Sequence, residues 1–256
     1  MLTTKEYSNS TTKQSDLYAE HSSIVKTSSV YQPMTKPTFN PATKLITSVL
    51  GVTLAIAGFH HGLFEVFQGN TEMDIGIIKA IGPDQLRWVH GTEEAFTIIP
   101  NFLITGIFAM ALSIFIAIWS VSNIEKQSGP FILLFSFVLL TLAGGGIGHV
   151  LFFIPLWAYS TNINGSLRWW KKVLGAKAHK LSLYWSYLMV GSSLFFLMGL
   201  ELSVFGYFPG ITDPSWILTI CWSMLLISFI MLNMAFISGF AYDLLNRPPL
   251  TKKGEH

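Results

Sequence analysis

Charge is what this chain has least of: 12% of its 256 residues are Asp, Glu, Lys or Arg, against 51% hydrophobic, and mean hydropathy is +0.49. A water-soluble domain carries roughly a quarter of its residues as charges, so the deficit excludes an ordinary solvated surface and places the chain in lipid. Cysteine is nearly missing too. Cys221, alone and inside an apolar run, excludes an intrachain disulfide, a thiolate metal cluster and a CxxCH haem attachment. No stretch alternates polar and apolar residues as barrel strands do, so helices are left to satisfy the backbone in hydrocarbon. A phosphate-binding loop, a Ser/His/Asp elbow and an HExxH zinc signature are all missing. The net charge of +2 is too small to point to nucleic acid. No signal-peptide core precedes the first apolar run, which is expected to stay as a signal-anchor.

What is present is a set of apolar runs long enough to cross about 30 Å of hydrocarbon as helices. Residues 1–43, rich in Ser, Thr and Lys and carrying Pro33, Pro37 and Pro41, read as a disordered tail. A transmembrane helical domain is expected over 44–246 and a basic tail over 247–256. The first span runs from about Leu45 to Phe67, with Gly51, Gly58 and Gly62 offering a surface for close helix approach. Residues 68–91 form an acidic connection. A second helix is expected to start near Thr92 as N-cap, with Glu93 and Glu94 in its first turn, and to continue to about Ser122. In that helix His90, Glu94, Thr97 and Asn101 would share one polar stripe, and Pro100 would kink it. Two later spans are expected at about 183–205 and 216–245. Between them and the second span, Arg168-Trp-Trp-Lys-Lys172, Lys177 and Lys180 suit a helix in the headgroup region, with His179 beside them.

Residues 131–159 are ambiguous, because Gly144-Gly-Gly-Ile-Gly148 interrupts an apolar run and His149 follows at once. Charge decides between a single broken span and a hairpin that returns to its starting side. Positive residues favour the cytoplasmic face. The hairpin puts fourteen Lys and Arg on one side against two on the other, whereas five crossings give ten against six. The expected fold is therefore an all-α polytopic transmembrane helix bundle of four full spans plus a Gly-broken helical hairpin, with five full spans as the alternative. It would sit in the cell membrane with both termini cytoplasmic.

The hairpin brings ionisable residues to one depth, the outer half of the bilayer. Such groups are costly in lipid and so are functional candidates. His61 with Glu65 and His90 with Glu94, each pair four residues apart, are the candidate ligands of a transition metal (Zn, Fe, Mn or Cu) for redox or hydrolytic chemistry. His60, Glu93 and Asn101 would orient them. Non-covalent haem between His60 and His149 is the other cofactor reading. Structural roles compete for each residue: Glu93 and Glu94 suit a solvated first turn, Glu65 and Glu201 the headgroups, and His149 a carbonyl freed by the glycine break. Two further functions stay open. One is a transporter or channel for an ion or small solute, lined by the broken hairpin; the other is a structural subunit held to membrane-complex partners or to copies of itself, in contact with membrane lipid and without nucleic acid.

The stretches HHGLFEVFQGN (60–70), HGTEEAFTIIPNFLITG (90–106), LAGGGIG (142–148), RWWKK (168–172) and GFAYDLL (239–245) together resemble a family of uncharacterised prokaryotic multi-pass membrane proteins. The resemblance covers about residues 45–246. It implies an integral membrane protein of a prokaryotic cell and supplies no mechanism. It also implies a small residue or proline after the glycine run, from which His149 departs.

Overall fold

A helix in lipid holds its neighbours by close packing and by the few hydrogen bonds it exchanges with them, and both are visible along the first helix. The computed structural model describes residues 39–82, 84, 88, 90 and 94–246; the remainder of both expected tails lies outside the described residues. Helix α1 (Pro41–Phe67) opens with proline in its first turn, where the missing N–H costs nothing. A short ribbon follows, β1 (Gly76–Lys79) paired antiparallel with β2 (Glu94–Thr97), so that Gly76 faces Thr97 and Lys79 faces Glu94. Then come α2 (Phe102–Ser122), α3 (Gly129–Leu142), α4 (His149–Ser160), the short α5 (Arg168–Leu174) and α6 (Ala178–Leu181), and the long α7 (Trp185–Phe205) and α8 (Pro214–Asn246). Helices α1, α2, α7 and α8 are each long and apolar enough to span a membrane.

Helix α1 is the central post. Two thirds of its apolar stretch is buried (67%), against 28% for α2 and for α8, whose outward faces meet lipid. Gly62 and Gly106 let α1 and α2 touch backbone to backbone: a Cβ on Gly62 would stand 2.7 Å from the Gly106 carbonyl. Further along, the Ser48 hydroxyl donates to the Ser120 carbonyl at 2.6 Å. Helices α7 and α8 are joined by a reciprocal pair, Ser192 Oγ donating to Ser228 O and Ser228 Oγ to Ser192 O at 2.9 and 2.7 Å.

Helices α3 and α4 form the hairpin. Their 14 and 12 residues make rods of about 21 and 18 Å, each too short to cross the hydrocarbon. They run antiparallel, with Phe137 stacked on Phe153 at 5.3 Å and Phe131 edge-on to Trp157 at 6.2 Å. The chain leaving α4 returns to where α3 began, and there Asn164 Nδ2 donates to the Glu125 carbonyl at 2.7 Å. The same end holds the start of α1, through Lys44 paired with Glu125 at 3.2 Å, and the end of α8, through Asp243. At the opposite end the ribbon closes over the glycine tip. Ile98 N donates to Leu142 O, Gly144 N to Phe96 O and Ile147 N to Glu94 O, at 2.9 to 3.2 Å.

One sequence expectation is corrected. Residues 94–97 are a strand, and the second long helix begins at Phe102, so His90, Glu94, Thr97 and Asn101 form no helical stripe and Pro100 kinks no helix. The cause is local. Proline disfavours helical geometry in the residue before it, and the β-branched Thr97, Ile98 and Ile99 suit an extended chain. Asn101 then caps α2, its side chain accepting from Ile104 N at 3.1 Å. Thr92 and Glu93, the expected cap and first-turn acid, lie outside the described residues.

Candidate functional site under the glycine tip

The site begins with spacing on α1. His61 and Glu65, one turn apart, lie on the same buried face as Gly58 and Gly62, 4% and 0% exposed. The glycine run of the hairpin descends onto that face. Gly144 and Gly146 adopt φ of +92° and +88°, left-handed values that favour glycine. They are also the points of closest approach. A Cβ at 144 would strike both carboxylate oxygens of Glu65. A Cβ at 146 would stand 2.6 Å from His61 Nε2 and 3.0 Å from His149 Nδ1. The missing side chains thus let the glycine backbone press directly against one carboxylate and two imidazoles.

His149, the first residue of α4, is 4% exposed, and its ring meets that of His61 edge-on with centroids 5.4 Å apart. It also meets Phe196 of α7, at 6.1 Å. Neither oxygen of Glu65 has a hydrogen-bond partner among the described residues. A buried carboxylate without partners is costly, and such groups occur where a cation or a proton completes them.

The remaining expected site residues are dispersed. His60 is half-buried, its Nδ1 3.3 Å from Glu201 Oε1, so Glu201 rather than His149 is its partner here. His90 is exposed and packs edge-on against Trp88 at 5.5 Å. Glu94 is exposed on β2 yet borders the same cavity as His61 and His149. Asn101 is occupied as a helix cap and also donates to Asn70 Oδ1 at 2.7 Å. No three His, Cys, Asp or Glu side chains among the described residues stand as a ready-made metal cage. Sequence reasoning had assigned His61 to a metal and His149 to haem; their contact depends on the depth of the hairpin tip, which spacing along the chain does not encode.

Beside the two imidazoles a cavity of about 610 Å³ opens between the hairpin, α7 and α8. Its walls are mainly aromatic and aliphatic, including Phe152, Phe196 and Phe229, with Ser203 and Cys221 as further polar atoms. Sequence inspection missed this wall, since phenylalanines on lipid-spanning helices carry no signal of their own.

Fold and cluster together define a polytopic helical membrane protein with ionisable residues buried beneath a re-entrant hairpin. Comparisons of the chain with protein-family models, with curated proteins and with solved structures find no match.

Proposed function

We propose that the His/Glu cluster in the outer half of the bilayer is the working site, and that it binds a transition metal ion through His61, Glu65 and His149 for redox or hydrolytic chemistry. The observation that carries this reading is Glu65: wholly buried, on a membrane-spanning helix, with no hydrogen-bond partner among the described residues. Two imidazoles and a carboxylate form a donor set suited to Fe, Zn, Mn or Cu, and such sets keep positions open for substrate. The excess of Lys and Arg supports an orientation with the hairpin base and both termini on the cytoplasmic side of the cell membrane. Haem between His60 and His149 has less support, because His60 turns to Glu201.

Elemental analysis of protein extracted in mild detergent tests the reading. Stoichiometric metal is expected in the native chain, with loss in Glu65→Gln and retention in His179→Ala at the membrane surface. A native chain that stays metal-free after supplementation with each of the four ions overturns it. A second reading, a carrier for an ion or small solute, is favoured by Glu94, which reaches the cavity from the exposed end. Flux into liposomes that Glu94→Gln abolishes, without bound metal, would select that reading. Co-purification of fixed partners or a stable homo-oligomer would select a structural subunit.

A further inference from the structure

The mouth of the cavity faces lipid. Among its lining residues Leu151 is 66% exposed, Trp222 66% and Leu226 60%, the first on the apolar hairpin helix α4 and the other two on α8, which is long and apolar enough to span a membrane. The inner end is polar, with His61 and His149 at the back and Glu94 where the ribbon closes the site. His61 is six residues before the end of α1, about 9 Å along the axis. Hydrogen-bonding groups therefore meet the acyl region close to its boundary. The volume falls within the roughly 300 to 1,000 Å³ of small-molecule sites. The walls present an apolar aromatic surface: Phe152 meets Phe196 edge-on at 4.7 Å and Phe229 at 5.8 Å. Between helices in lipid, packing is the main attraction, so a gap of this size is a place where something other than protein packs.

We propose that this cavity binds a membrane-soluble, single-chain amphiphile with a small neutral head, entering sideways between α4 and α8. The apolar body lies among Phe152, Phe196 and Phe229, and the head exchanges hydrogen bonds with His61 and His149. Glu94 borders the inner end and disfavours an anionic head. The cavity of about 610 Å³ suits one chain with a small head better than a two-chain phospholipid. The inference rests on the cavity and its opening and holds whether or not an ion sits at Glu65.

The test uses the full chain in lipid nanodiscs with a long-chain fatty alcohol carrying a photoreactive diazirine, and maps the adducts by mass spectrometry. Adducts are expected to concentrate on residues 148–152, 196–203 and 218–229, and to be displaced by unlabelled alcohol. Leu151→Trp at the exposed mouth and Leu225→Trp inside it should each lower labelling about tenfold, a loss equivalent to roughly 1.4 kcal/mol of binding. Ile118→Trp, on the lipid-facing side of α2, should leave it unchanged. Adducts spread evenly over the lipid-facing residues of α2 and α8, or labelling indifferent to Leu151→Trp, would mean that bulk acyl chains fill the gap and would overturn the proposal. Metal content read on the same nanodiscs separates the two ideas. Saturable labelling without metal removes the ion and keeps the amphiphile, and metal without labelling does the reverse.

Discussion

Two carboxylates, Asp243 at one end of the bundle and Glu65 at the other, are equally hidden and oppositely treated. Asp243 is 1% exposed and Glu65 0%. Around Asp243 the start of α1 supplies three donors: Ala42 N at 2.9 Å, Thr43 N at 2.9 Å and Thr43 Oγ1 at 2.6 Å. These N–H groups belong to the first turn of α1, which has no intrahelical acceptors for them and favours negative charge. Glu65 sits near the other end of the same helix, where α1 offers spare carbonyls instead of donors, and it receives nothing from the described residues. One acid holds the bundle shut. The other is held in place by the bundle at a cost, and a group kept at a cost inside lipid is where chemistry is sought.

Replacing each acid should expose the difference. The largest effect is expected for Asp243→Ala, which strips three charge-assisted hydrogen bonds and leaves buried donors unmet. A loss of about 3 kcal/mol is expected, read as a lower unfolding midpoint in detergent, with Asp243→Asn between mutant and native because it keeps one acceptor. A native-like midpoint for Asp243→Ala would dissolve the contrast. Next comes Gly144→Ala, which combines a positive φ with a collision against Glu65. It should cost about 2 kcal/mol and displace the Glu65 carboxylate from the glycine backbone, so that binding of the proposed metal falls with stability.

Glu65→Gln should behave quite differently from either. With no hydrogen bond to lose among the described residues, its stability should stay within about 1 kcal/mol of native, since the amide has nearly the same shape and abandons no partner. Binding of the proposed metal should vanish nonetheless. Equal damage from Glu65→Gln and Asp243→Asn in thermal unfolding would make Glu65 another structural acid and break the distinction between the ends.

Much of this was legible in the sequence because it depended on amount and order. The unequal distribution of Lys and Arg, together with glycines at 144, 145, 146 and 148, pointed to the hairpin, and apolar length gave the four spans. The ribbon was not legible: Glu93 and Glu94 resemble a helix start, and only Pro100 with the β-branched 97–99 argued against it. His61 with Glu65 was visible as a one-turn pair. The placement of His149 against them was not, since it follows from how far a 14-residue helix carries the tip, a distance that pattern alone leaves free.

The smallest expected effect belongs to a third acid, Glu125, which lies at the Asp243 end but outside the spanning helices. Partial burial raises its carboxyl, but its own backbone N–H and the ammonium groups of Lys44 and Lys126 outweigh this and hold it below its ordinary 4.5. A carboxyl lowered in the folded state stabilises the fold fully above that ordinary value, and the contribution drains away as pH falls through it to the folded value. Because the pair with Lys44 is about one third exposed, at 26% and 32%, solvent screening leaves it worth under about 0.5 kcal/mol. Glu125→Gln should therefore lower the unfolding midpoint slightly at neutral pH and not at all well below the carboxylate range, with high salt erasing the difference at neutral pH as well. A deficit that persists in acid would mean that Glu125 acts through its packing, and that the closed end is held by shape as much as by charge.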